Sequence, residues 1–131
     1  MKWLNKPFHK KNQCKNIVPI PAWNTVVEML YDKGLDSFFN EVIKVFYSVD
    51  KSMRYVILKN KDGNLTYELE EIYQFDENEW QYIHSCENAL PGTWVSSSNN
   101  RGTSFFNNEN DLMNELKSEP EYRQFFSLDG V

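Results

Sequence analysis

The sequence predicts an α+β fold, an antiparallel β-meander of four to five strands with an N-terminal and a C-terminal helix packed on one face. Three observations predict it. Residues 21–34 place apolar side chains at helical spacing. Residues 41–75 carry β-rich runs around an Asp-Gly turn, and residues 108–119 begin with a helix-capping asparagine. A chain of 131 residues is long enough to bury one core. We expect a basic extended arm over residues 1–20 and a single α+β domain over residues 21–131.

Each element has its own local reason. Residues 1–20 are polar and basic, with Pro7 and Pro19 and no apolar period, so they read as extended chain. Pro21 is suited to the first turn of a helix. Trp23, Val26, Val27, Leu30 and Tyr31 then form one apolar face, and Gly34 stands where a left-handed cap belongs. Residues 35–46 fit either a helical stripe or a strand. The β-branched and aromatic run from Val42 to Val49 favours a strand over about 41–50.

Two strands follow, residues 54–59 and 65–75, around Asn60-Lys61-Asp62-Gly63-Asn64. Asp-Gly between such runs signals a hairpin, because glycine adopts positive φ freely. In the second strand Leu65, Tyr67 and Leu69 alternate with Thr66, Glu68 and Glu70, which implies one buried and one wet, acidic face. Residues 79–84 (EWQYIH) are expected as a fourth strand, and Thr93-Trp94-Val95 as a short edge strand. Residues 96–102 (SSSNNRG) read as a flexible loop. Asn108 caps a helix with Glu109 and Asp111 in its first turn and Leu112, Met113 and Leu116 on its inner face. Pro120 ends it, and Tyr122, Phe125 and Phe126 dock on the body.

Charge divides the chain. Residues 1–27 hold five lysines and no acid, a net +5. Residues 28–131 hold nine Lys/Arg against nineteen Asp/Glu, a net −10. No run of about 18 apolar residues is present to span a bilayer, and no apolar segment follows the first lysines as in a secretory signal. We therefore expect a cytoplasmic protein without a membrane partner. Two cysteines, Cys14 and Cys86, set no disulfide framework.

Four constellations could carry chemistry. His84 and Cys86, two apart on a strand, would share a face and could act as nucleophile and base or as metal ligands. A small core cysteine beside a polar strand end explains them more simply. Glu68 and Glu70 share a face about 6–7 Å apart and could work as paired acids. A solvated or partner-facing acidic surface suits them better. The arm interleaves Lys2, Lys6, Lys10, Lys11 and Lys15 with Trp3, Phe8 and His9, which suits phosphate contact and base stacking. The acidic body opposes a polyanion, so a tail folded back on that body is favoured over nucleic-acid binding. Residues 96–102, with Arg101, could grip an anion but match no phosphate loop or nucleophile elbow.

Trp23 and Tyr31 fit the core face of the first helix, and Phe105, Phe106, Phe125 and Phe126 fit core packing. Tyr73, Trp80, Tyr82 and Trp94 can stand on an open sheet face, where large aromatics make interface hot spots. The candidate binding residues are therefore Glu68, Glu70, Tyr73, Trp80, Tyr82, Trp94 and Arg101. The sequence calls for no cofactor and no metal, and it assigns no catalytic residue.

In general character the chain is similar to small bacterial immunity proteins: acidic, aromatic-rich, of about this length, with a central meander. That resemblance transfers no residues. It implies a protein that acts by binding, such as an inhibitor of a basic toxin. The sequence-based expectation is a small acidic protein-binding module without catalysis. The alternatives are a small-ligand binder or hydrolase using a sheet cavity, and a nucleic-acid binder using the arm.

Overall fold

The computed structural model of the chain describes residues 17–36, 40–100 and 104–126. Most of the expected arm, residues 1–16, lies outside the described residues, and so does Arg101. The described chain runs through helix α1 (Trp23–Leu30), strands β1 (Glu41–Tyr47), β2 (Met53–Lys59) and β3 (Leu65–Gln74), helix α2 (Glu77–Ile83), strand β4 (Gly92–Ser96) and helix α3 (Glu109–Lys117). A π-helical turn (Tyr122–Phe126) follows. The four strands form one antiparallel sheet in the order β1-β2-β3-β4, as expected of an α+β meander.

Side-chain hydrogen bonds shape both tight connections. Between β1 and β2, Asp50 Oδ1 accepts from the Ser48 hydroxyl and from the Ser52 amide and hydroxyl. Between β2 and β3, Asn60 Oδ1 accepts from the Asp62 and Asn64 amides, while Gly63 takes φ +85°. The hairpin read from Asp-Gly is therefore present, and β1 stops at Tyr47, short of residue 50.

Alternation along the strands assigns the two faces. Tyr55 and Ile57 of β2 and Leu65 and Leu69 of β3 are buried on one face against Leu112 and Leu116 of α3. Phe46, Tyr67, Phe106, Tyr122 and Phe126 pack around them. The register pairs Arg54 with Glu70 and Glu70 with Ser96, so these residues point to the other face, together with Ile72 and Trp94. Helix α1 lies on that side, joined by the bond from Trp94 Nε1–H to the Leu30 carbonyl. The two terminal helices thus flank the sheet, one on each face, where the sequence reading placed both on one. The apolar character of Val56 and Ile72 on the even face explains why that face also takes a cover.

Three local expectations change. Residues 79–83 belong to helix α2, with His84 as its C-cap, and make no fourth strand. The Asp76 carboxylate accepts from the Glu79 amide at 2.7 Å, and the Glu79 carboxylate accepts from the Asp76 amide at 2.8 Å. This reciprocal capping box nucleates a helix and overrides the β propensity of Trp80, Tyr82 and Ile83. Helix α1 starts at Trp23 behind an Ala22 cap, so Pro21 precedes it, and only Val26, Val27 and Leu30 are buried. Trp23 and Tyr31, at its two ends, stay exposed. Of the four terminal phenylalanines, Phe106 and Phe126 pack on the core, while Phe105 and Phe125 are exposed.

Candidate functional site

The most constrained polar group is Arg54, whose residue is fully buried. Its Nε–H donates to Glu70 Oε1 at 2.7 Å across the β2–β3 pair. Its Nη1 donates to the Lys33 carbonyl at 2.8 Å and to the Tyr47 hydroxyl, and its Nη2 donates to the Gly34 carbonyl. The guanidinium lies 4.1 Å from the centre of the Trp94 ring. Planar stacking with forked donors is what arginine does and lysine cannot. The cluster ties the turn after α1 to all four strands. Burial pushes the Glu70 carboxyl above its ordinary pKa, and the Arg54 bond and charge only partly offset this.

The candidate residues fall into separate places. Glu70 and Trp94 are committed to Arg54, so they serve the fold and not an open surface. Glu68 neighbours them on the same face, where its carboxylate accepts from the Ser96 hydroxyl at 2.8 Å. Trp80 is 7% exposed and turned inward; its indole N–H is buried and meets no acceptor among the described residues. Tyr73, 42% exposed, donates its hydroxyl to Glu79 Oε1 at 2.8 Å, and that bond raises its pKa above the ordinary phenol value. Tyr82, on the outer side of α2, is 85% exposed. Only Tyr73 and Tyr82 therefore remain as aromatics on a shared open surface, and Glu79 links the two. Glu79 is one helical turn from Tyr82 and hydrogen-bonded to Tyr73.

One signal around this surface is legible in the sequence and lies outside the seven candidates. From Asp62 to Asn100 there are eight acidic residues and no lysine or arginine. Asp76, Glu77, Glu79 and Glu87 of that stretch sit on or beside α2. Strand β3 and helix α2 thus carry acid and no base, and strand β4 carries no charge, apart from the contribution of Arg54 to Glu70.

The cavities offer less chemistry. One, about 390 Å3, is lined in part by Asn60, Thr66, Glu68, Asn100 and Phe105. Its polar groups have local partners. Asn60 caps the hairpin, and Asn100 exchanges hydrogen bonds with the backbone of Leu69. A smaller cavity of about 150 Å3 brings Glu68 and Glu70 together with Leu35, Val56 and Leu58. The strand-based pairing of His84 and Cys86 is overturned. His84 is the C-cap of α2, and Cys86 is exposed in the turn that follows, with its amide bonded to the Ile83 carbonyl. Neither lines the cavity that Glu68 and Glu70 share. No group of three or more His, Cys, Asp or Glu is arranged to hold a metal ion among the described residues. Among the same residues, no helix is long and apolar enough to cross a membrane.

No family model, curated protein or solved structure matches the chain.

Proposed function

We propose that this chain is a small acidic binding module that works without catalysis, presenting α2 and the end of β3 to a basic protein surface in the cytoplasm. One observation carries the reading: Tyr82 is 85% exposed on a helix that lies within a stretch of sequence, Asp62 to Asn100, holding eight acids and no lysine or arginine. A tyrosine so exposed gives a large amphipathic contact with few torsions to freeze, and such side chains dominate interface energetics. The acids around it steer a cationic partner and raise the encounter rate. The capping box holds α2 in place, so the surface is formed before the partner arrives and little ordering entropy is lost on binding. An immunity-type inhibitor that occludes a basic toxin is the finer form of this reading.

The test is affinity capture from native lysate of the source organism at low and high salt. The bait is either the wild-type chain or its Glu77→Gln, Tyr82→Ala double variant. The reading expects a basic protein that the wild type retains at low salt, and that both high salt and the double variant release. Equal retention by both baits contradicts it.

A further inference from the structure

We infer that the outer face of α2 is also the docking site for this chain's own basic arm, residues 1–16. The first observation is where the described chain begins. Val18 is held by the Gln81 side chain through two bonds, from its amide to Gln81 Oε1 at 3.2 Å and from Gln81 Nε2 to its carbonyl at 2.8 Å. An amide side chain paired in this way with one backbone residue fixes position and direction together. The arm therefore departs from α2 itself.

The second observation is complementarity. Residues 1–16 contain five lysines, two large aromatics (Trp3 and Phe8) and no acid. Lys15 is three residues from the Val18 tie. Glu77 is one turn before Gln81 on the same side of the helix, and Asn78 and Glu79 stand one turn before Tyr82. Helix α2 is about 10 Å long, whereas 16 extended residues reach about 55 Å. The arm can therefore cover the helix and Tyr73 without strain. Because the tether holds the arm beside its site, even a weak contact is populated.

Arm docking concerns the isolated chain and does not depend on a partner. Its consequence, that the arm competes with a basic partner for Tyr82, rests on the function proposed above. Docking also answers the charge problem set by the sequence, because the +5 segment lies against the acids nearest its point of attachment.

Trypsin tests this in the full chain, with cut sites identified by mass spectrometry. An isotope-labelled free peptide of residues 1–16 in the same tube corrects for protease activity. At about 20 mM salt, we expect cleavage at Lys10 and Lys11 to be at least about tenfold slower in the chain than in the peptide. At about 500 mM salt the two rates should converge. They should also converge at low salt in a Glu77→Gln, Tyr82→Ser variant, whose substituted side chains are exposed. Equal rates in chain and peptide at low salt overturn the inference. So does protection that ignores both salt and the variant. Protection that disappears on about hundredfold dilution assigns the arm's site to a second copy and overturns it as well.

Discussion

Arg54 and Glu70 face each other across the β2–β3 pair, 2.7 Å apart, with the arginine side chain fully buried and its guanidinium stacked on Trp94. Two acidic or aromatic residues that a sequence offers as binding groups are thereby spent on the fold. Breaking one side of such a pair leaves an uncompensated buried charge. Arg54→Leu should lower unfolding free energy by about 3–5 kcal/mol. Adding Glu70→Leu should recover a large part of that loss. Urea denaturation of the two single variants and the double variant checks the coupling.

Gly92 is a position where the backbone, and not a side chain, decides. A Cβ there would lie 2.5 Å from the Tyr73 carbonyl oxygen and 3.2 Å from Gln74 Cα, at the register pair that joins β4 to β3. Gly92→Ala should cost about 1–3 kcal/mol by forcing the edge strand outward. Gly63→Ala meets no atom within 4 Å and is opposed only by its φ of +85°, so a cost of about 1 kcal/mol is expected. Thermal melts of the two variants should rank them in that order.

Asp50 sets a pH dependence. Partial burial pushes its carboxyl up, but hydrogen bonds from the Ser52 amide, the Ser52 hydroxyl and the Ser48 hydroxyl outweigh that, and its pKa lies below the ordinary value. A depressed carboxylate stabilises the fold above its unfolded pKa and loses that contribution as pH falls through the folded value. Asp50→Asn should therefore be less stable than wild type at pH 7, by about 1 kcal/mol after allowance for solvent screening in an open turn. The difference should shrink as the pH drops below about 4. Denaturation midpoints across that range measure it.

The meander was readable because its signals are local. Asp62-Gly63 specifies a turn over five residues, and the alternation of Leu65, Tyr67 and Leu69 with Thr66, Glu68 and Glu70 assigns each side chain to a face. Helix α2 also had a local signal, the Asp76-x-x-Glu79 box, but Trp80, Tyr82 and Ile83 invited a strand reading over the same residues. Choosing the capping box would have turned Trp80 inward and Tyr82 outward. The role of Arg54 had no local signal. Its partners Lys33, Gly34, Tyr47 and Glu70 lie 7 to 21 residues away in the chain. They come together only when the turn after α1 crosses the sheet. From sequence alone Glu70 and Trp94 therefore read as part of a surface they do not join.

Tyr82 separates stability from binding. Its side chain is almost wholly in solvent, so Tyr82→Ala should leave the unfolding free energy within about 0.5 kcal/mol of wild type. The decisive measurement is the affinity of a captured basic partner for wild type and for Tyr82→Ala, by calorimetry at fixed low salt. A hot-spot tyrosine predicts a loss of at least about 2 kcal/mol, roughly a thirtyfold rise in Kd, with stability unchanged. An unchanged Kd for a folded Tyr82→Ala protein would contradict the assignment of α2 as the binding surface.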